Sequence, residues 1–129
     1  MPLLMILLTP FLAIFSSLMI VFTIRMFDFV EFEPLNVIRS SLFAGLILLI
    51  PVLQLYAYAD LFWANFDFSE NLIDRITMVI NAPIIEESCK AFALVIILRT
   101  YRKEFDTLTD YIVYAFCVAI GFELVENIL

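Results

Sequence analysis

Residues 76–98 read ITMVINAPIIEESCKAFALVIIL, an apolar run long enough to cross a bilayer yet carrying Glu86, Glu87 and Lys90. Leu, Ile, Val and Phe occur eleven times in it, each worth roughly −0.3 to −0.6 kcal/mol on insertion scales, against three charges at roughly +3 kcal/mol each near the centre. The sum is near zero or unfavourable. Such a span needs its polar groups paired or neutralised, and intramembrane ionisable residues are the first place to look for function. The following apolar run repeats the pattern with Glu123 and Glu126.

The rest of the chain fits a membrane setting. Its 129 residues are 64% hydrophobic with fourteen Phe and two Gly, and the mean hydropathy is +1.06. This is too apolar for an ordinary soluble domain and indicates an all-α, polytopic membrane protein. The length suits one compact helical unit. A net charge of −7 excludes nucleic acid as an electrostatic partner. Cys89 and Cys117 both fall in apolar runs and read as small buried hydrophobes rather than a disulfide or metal pair. With no His, the usual His-rich zinc site cannot be assembled from this chain.

Four spans are expected in a single membrane domain, at about residues 3–24, 40–59, 76–98 and 111–129, the last ending at the chain terminus. No Lys or Arg precedes the first and no small-residue cleavage site follows it, so it reads as an uncleaved span rather than a signal peptide. Pro10 permits a kink there, while Pro51 and Gly45 interrupt the second. The first link carries Arg25, Asp28, Glu31, Glu33 and Arg39. The second, DLFWANFDFSENLIDR (60–75), alternates Phe with Asp and fits an interfacial helix or a re-entrant turn, but reads first as a surface loop with anchoring aromatics, Trp63 suiting the membrane–water boundary. The third carries Arg99, Arg102 and Lys103. Links one and three thus hold five Lys and Arg against Arg75 alone on the opposite side, which places those links in the cytoplasm and the N-terminus outside.

The spacing of the charges suggests a shared site. Glu86 and Lys90 stand at i and i+4, Glu87 and Lys90 at i and i+3, so both carboxylates are placed to reach the ammonium. Two carboxylates side by side in a low dielectric cannot both ionise cheaply. A protonated carboxyl beside an ionised one and a cation is a set suited to general acid–base work on water. Asn81 and Pro83 add an amide and a weak point in the backbone. On the last span Glu123, Glu126 and Asn127 share one helix face. Glu87 lies twelve residues before Arg99 and Glu123 thirteen after Asp110. At about 1.5 Å per residue both sit roughly 18–20 Å from the same boundary, so adjacent antiparallel helices bring the two polar faces level. Asp110 itself is expected to cap the last helix, and Gly121 to be a helix-contact position.

The string IIEESCKAFAL, followed by EFDTLTDYIVYAFCVAIGFELVENIL, resembles the PrsW family of glutamic-type intramembrane proteases, relatives of the CAAX-processing and bacteriocin-processing membrane peptidases. The similarity covers roughly residues 75–129. A Glu-Glu-x-x-Lys motif is matched by Glu86, Glu87 and Lys90. A second motif is matched by Asp110, Tyr114, Gly121, Phe122, Glu126 and Asn127. The resemblance implies hydrolysis of a peptide bond in a membrane-associated protein substrate, such as an anti-sigma factor, in a bacterial cytoplasmic membrane. It implies that the paired glutamates activate water, with or without a divalent metal held by Glu86, Glu87 and Glu126. By their own chemistry Lys90 is suited to balance charge or stabilise the oxyanion, Asn127 to donate a hydrogen bond, and Asn81 and Glu123 to support the site, Glu123 being a carboxylate outside the family's motifs. The family also uses a histidine on a later span. This chain has none, which reads it as an incomplete or degenerate form. Two other readings of the carboxylates stand beside this one: a proton- or cation-conducting carrier, and a non-catalytic interaction module whose ions lock helix packing.

Overall fold

The computed structural model describes residues 2–27, 33–66 and 68–128, with side chains of the first helix described at residues 10–20 and 22–23. Among the described residues six α-helices follow one another: α1 (Pro2–Phe27), α2 (Leu35–Ile47), α3 (Leu49–Trp63), α4 (Glu70–Ile76), α5 (Ala82–Thr100) and α6 (Leu108–Glu126). There is no strand among the described residues. Asp28 and Glu31 of the first link lie outside them, as does the side chain of Arg25.

Among the described residues two stretches are long and apolar enough to cross a membrane, the α2–α3 run Leu35–Trp63 and α6. Large apolar side chains such as Phe43, Leu53, Met78, Phe92 and Phe116 are exposed on the outside of the bundle, the surface expected of a protein solvated by lipid. The α2–α3 run is longer than the sequence boundaries suggested because Asp60 and Arg39 sit inside its end turns rather than outside. α2 gives way to α3 at Leu48. Pro51 explains the break, since its ring crowds the carbonyl four residues earlier, at Ile47, and removes the hydrogen bond that carbonyl would have accepted.

Pro83 acts in the same way on the third apolar run. Just before it, Thr77–Asn81 form a π-turn joining α4 to α5, so the weak point foreseen at Asn81 and Pro83 is a widened turn rather than a kink. The second link also departs from a plain loop. It is helical through Trp63 and again from Glu70, and residues 64–66 turn. Phe62, Trp63, Phe66 and Phe68 cluster at that turn, with centroid separations from 5.2 Å for Phe62–Trp63 to 6.3 Å for Trp63–Phe68. Their mutual packing tightens a segment that composition alone marks as loop.

The central helix is α6, whose Val113, Tyr114, Cys117, Val118, Gly121 and Phe122 are buried. The backbones of α2 and α6 nearly touch where Gly45 meets Gly121. A Cβ on Gly45 would lie 2.1 Å from the Val118 carbonyl oxygen, and one on Gly121 would lie 2.2 Å from that of Leu42. This is the close approach that small residues permit between membrane helices. One buried cluster on the third-link side joins Val37, Ile38, Ile97, Phe105, Val113, Tyr114 and Cys117. A second joins Leu48, Val52, Cys89, Ala93, Val118 and Phe122 and forms the floor of the polar site. Both cysteines are free and buried.

At the start of α6 the capping residue is Thr107. Asp110 sits at the third position of the first turn rather than at the cap itself. Its carboxylate accepts hydrogen bonds from the amides of Asp106 (2.7 Å) and Thr107 (2.6 Å) and from the Thr107 hydroxyl (2.5 Å), a capping box. Asp110 lies at the polar end of the helix, ahead of the apolar stretch that opens at Tyr111. Burial alone would raise its pKa, but the Thr107 hydroxyl and amide, the Glu33 carboxyl and the Asp106 amide together hold it below its ordinary value. A depressed folded-state pKa contributes stability that is present above the unfolded value and lost as pH falls through the folded one.

Two outcomes follow. Gly121→Val should destabilise the bundle by at least about 1–3 kcal/mol, as overpacking does, in equilibrium unfolding from mixed micelles. A variant as stable as the parent would show that α2 and α6 do not meet there. Asp110→Asn should lower stability at neutral pH, with the gap to the parent closing below about pH 4. A gap independent of pH would place the ionised carboxylate elsewhere.

Candidate functional site

The floor of the site is Phe122 of α6, fully buried. Above its ring, 4.7 Å from the centroid, lies the Lys90 ammonium, the favourable side of an aromatic face for a cation. Lys90 comes from α5, whose Cys89 and Ala93 pack into the same apolar cluster as Phe122. That packing turns the lysine stem toward α6. Its side chain is 13% exposed, and it contacts Glu87 Oε1 at 2.9 Å and Glu123 Oε1 at 3.4 Å. One ammonium therefore joins a carboxylate of its own helix to one on the neighbouring helix. The cross-helix contact is what the matched depths of Glu87 and Glu123 led us to expect.

Glu86 behaves differently from its neighbour. Consecutive helix residues are about 100° apart, and Glu86 turns toward α3, where it accepts a hydrogen bond from the Tyr56 hydroxyl. Among the described residues Lys90 pairs with Glu87 and Glu123, and the i,i+4 pairing with Glu86 is not made. The paired glutamates thus serve two different contacts. Glu126 completes the group and lies within electrostatic reach of Glu86, Glu123, Lys90 and Tyr56.

The remaining expected residues are placed less centrally. Asn127 follows the last turn of α6, and its Nδ2 donates to the Glu123 carbonyl at 2.8 Å, so one of its two N–H groups is spent on its own helix. Asn81 lies in the π-turn. Its Nδ2 and the hydroxyl of Thr77, one turn earlier, are buried without a protein hydrogen-bond partner, a state that calls for water. Gly121 stands at the helix contact, and the space beside it is filled by the Leu42 backbone.

Tyr56 is the site residue that sequence reasoning missed. The available signal was a phenol in the middle of LIPVLQLYAYADLFW, but its partner thirty residues away is set by how α3 crosses α5. A second long-range tyrosine contact lies at the opposite end of α6, where the buried Tyr114 donates to Glu33.

The fold and the site define a class: an integral membrane protein of packed helices that holds an acidic cluster and one cation between its spans. The family model of PrsW intramembrane metalloproteases matches residues 33–129, and the chain belongs to that family. No curated protein and no solved structure matches it. The match reaches upstream of the resemblance read from the motifs and takes in α2 and α3, the helices that supply Gly45 and Tyr56.

The family's description implies a metal, and the donors found here do not suit one. Among the described residues no group of three or more His, Cys, Asp and Glu converges on a point. Glu87 and Glu123 converge instead on an ammonium, and Glu86 on a phenol. Zinc also favours nitrogen and sulfur ligands, which this cluster does not offer.

Lys90→Met should leave two carboxylates facing each other without their cation. The cost should fall by about 1 kcal/mol, given the exposure of both carboxylates, when Glu123→Gln is already present, as read from a double-mutant cycle of unfolding free energies. Strict additivity would mean that the contact between α5 and α6 carries no energy.

Proposed function

We propose that this chain is an intramembrane endopeptidase that hydrolyses a peptide bond of a membrane-associated protein, with Glu87 as the base that activates water. The observation that carries the reading is the Lys90 bridge between Glu87 and Glu123, a fixed cation and an acidic pair held together between two helices. Glu87, with a side chain 71% exposed, is the member of the cluster open to an incoming molecule. Water has reason to reach this depth, since Asn81 and Thr77 present buried polar atoms with no protein partner.

In the proposed step Glu87 takes a proton from water as the oxygen attacks the substrate carbonyl carbon. The charge that develops on the carbonyl oxygen is balanced by the Lys90 ammonium, which the pull of Glu123 and the face of Phe122 keep in place. The tetrahedral adduct then collapses as the proton on Glu87 passes to the departing amide nitrogen, which leaves as an amine. The products are one carboxyl and one amine terminus, and Glu87 returns to its starting form. Glu86, oriented by Tyr56, and Glu126 shape the field around this centre. Asn127 holds the last turn of α6, which carries Glu123 and Glu126. An anti-sigma factor is the type of substrate we favour, in a bacterial cytoplasmic membrane with the N-terminus outside. The four spans at 3–24, 40–59, 76–98 and 111–129 are part of the same proposal.

A carrier role fits the site less well. An ammonium tied between two carboxylates repels a transported cation from the place where it would have to bind.

The test is cleavage of a membrane-tethered peptide library by the chain in proteoliposomes, read by mass spectrometry. Glu87→Gln should lower the rate by about 10²–10⁴-fold, the usual share of a general base, and leave the fold intact. Cleavage that survives Glu87→Gln, or the absence of any cleavage alongside a proton flux that Glu87→Gln abolishes, would overturn the reading.

A further inference from the structure

Beside the acidic cluster, α1 and α6 leave an open groove of about 440 Å³, within the range of ligand-binding sites. Its apolar wall includes Phe15 and Ile20 of α1, and its polar positions are Ser16, Ser17, Glu123 and Asn127. Acceptors predominate among them. The Ser16 and Ser17 hydroxyls both donate to the Ala13 carbonyl, at 3.0 and 2.8 Å, which leaves oxygen lone pairs to accept. Asn127 donates one amide N–H to the Glu123 carbonyl and keeps its Oδ1 for accepting and its second N–H for donating. Glu123 is an acceptor by nature, and only one of its oxygens is taken up by Lys90.

A groove of apolar wall, one carboxylate and mostly acceptors selects its occupant by chemistry. A lipid acyl chain brings no donor to meet these oxygens. A phospholipid headgroup, even one that carries an ammonium donor, brings a phosphate whose negative charge faces the Glu123 carboxylate. An intact transmembrane helix has its backbone N–H groups satisfied internally. Polypeptide whose helix has opened exposes backbone N–H donors together with apolar side chains, and it is the occupant that matches both halves of the surface.

We propose that the α1–α6 groove binds an unwound stretch of a membrane-inserted polypeptide and lays it alongside Glu123, at the edge of the cluster where Glu87 stands. As a route to a reacting centre it rests on the proteolytic reading above; as a binding site it can be tested separately. Ser16, Ser17 and Asn127 are positioning residues here, and α1, the helix outside the family match, gains a role as one side of the groove.

The probe is a pair of synthetic apolar peptides in lipid vesicles, each bearing one central cysteine. One is an uninterrupted polyleucine helix and the other carries a Gly-Pro step at its centre. Ser16→Cys places a thiol in the groove with almost no change of shape, and Phe43→Cys places one on the exposed flank of α2. Under mild oxidation Ser16→Cys should form a disulfide with the Gly-Pro peptide about tenfold faster than with the continuous helix, the equivalent of one or two backbone hydrogen bonds. Phe43→Cys should show no preference. Ala13→Phe, which fills the groove, should remove the preference at position 16. Equal rates for the two peptides at position 16, the same preference at position 43, or no effect of Ala13→Phe would overturn the groove. Adding Glu87→Gln separates the two claims. Selective capture without cleavage by any variant would uphold the groove and sink the hydrolytic reading. Cleavage by the parent without selective capture would do the reverse.

Discussion

The close approach of two backbones at Gly45 and Gly121 underlies the arrangement of this bundle. Two helices in lipid gain little from burying apolar surface, because the acyl chains are as apolar as leucine; they gain from close packing. Here α2 and α6 come so near that a single added carbon on either glycine would collide with a carbonyl oxygen. That contact fixes the depth and rotation of α6. Phe122 and Glu123 follow Gly121 directly, so the ring that floors the polar site and the carboxylate that holds Lys90 are placed by the same crossing.

Once α6 is set, electrostatics completes the arrangement. Lys90 is largely covered, and a covered ammonium needs partners. It finds one carboxylate on its own helix, one on α6 and an aromatic face beneath. Glu86 finds its partner on α3. The ionisable residues that make residues 76–98 so poor a span by hydropathy are therefore the residues that bind three helices together. The same cluster, with one exposed carboxylate beside a held cation, has the elements that acid–base chemistry on water requires.

Much of this could be read from the chain alone, for identifiable reasons. Glu87 and Lys90 are three apart on one helix, and that local geometry is independent of the fold. Glu123 could be matched to them because depth in a membrane is counted from the polar boundary at a constant rise. Pro83 marked the π-turn through chemistry that depends only on its ring. Sequence reasoning failed where the partner is chosen by helix crossing. Tyr56 with Glu86 and Tyr114 with Glu33 are separated by 30 and 81 residues, and no local pattern pairs them. It also gave Lys90 both neighbouring glutamates, although adjacent residues on a helix face different ways. At Asp110 the residue was singled out correctly but its position was off, because Thr107, three residues earlier, is the cap that Asp110 supports.

The shared site requires α5 and α6 to present Lys90 and Glu123 to each other inside the bundle. The direct measurement joins Lys90→Cys and Glu123→Cys with a short bifunctional thiol reagent in membranes, then cleaves the chain in the link between the helices and asks whether the fragments stay together. The pair at 90 and 123 should be joined efficiently, and a control pair of Phe92→Cys with Glu123→Cys, facing away on α5, should not. Failure of the first pair, or equal joining of both, would contradict the shared site.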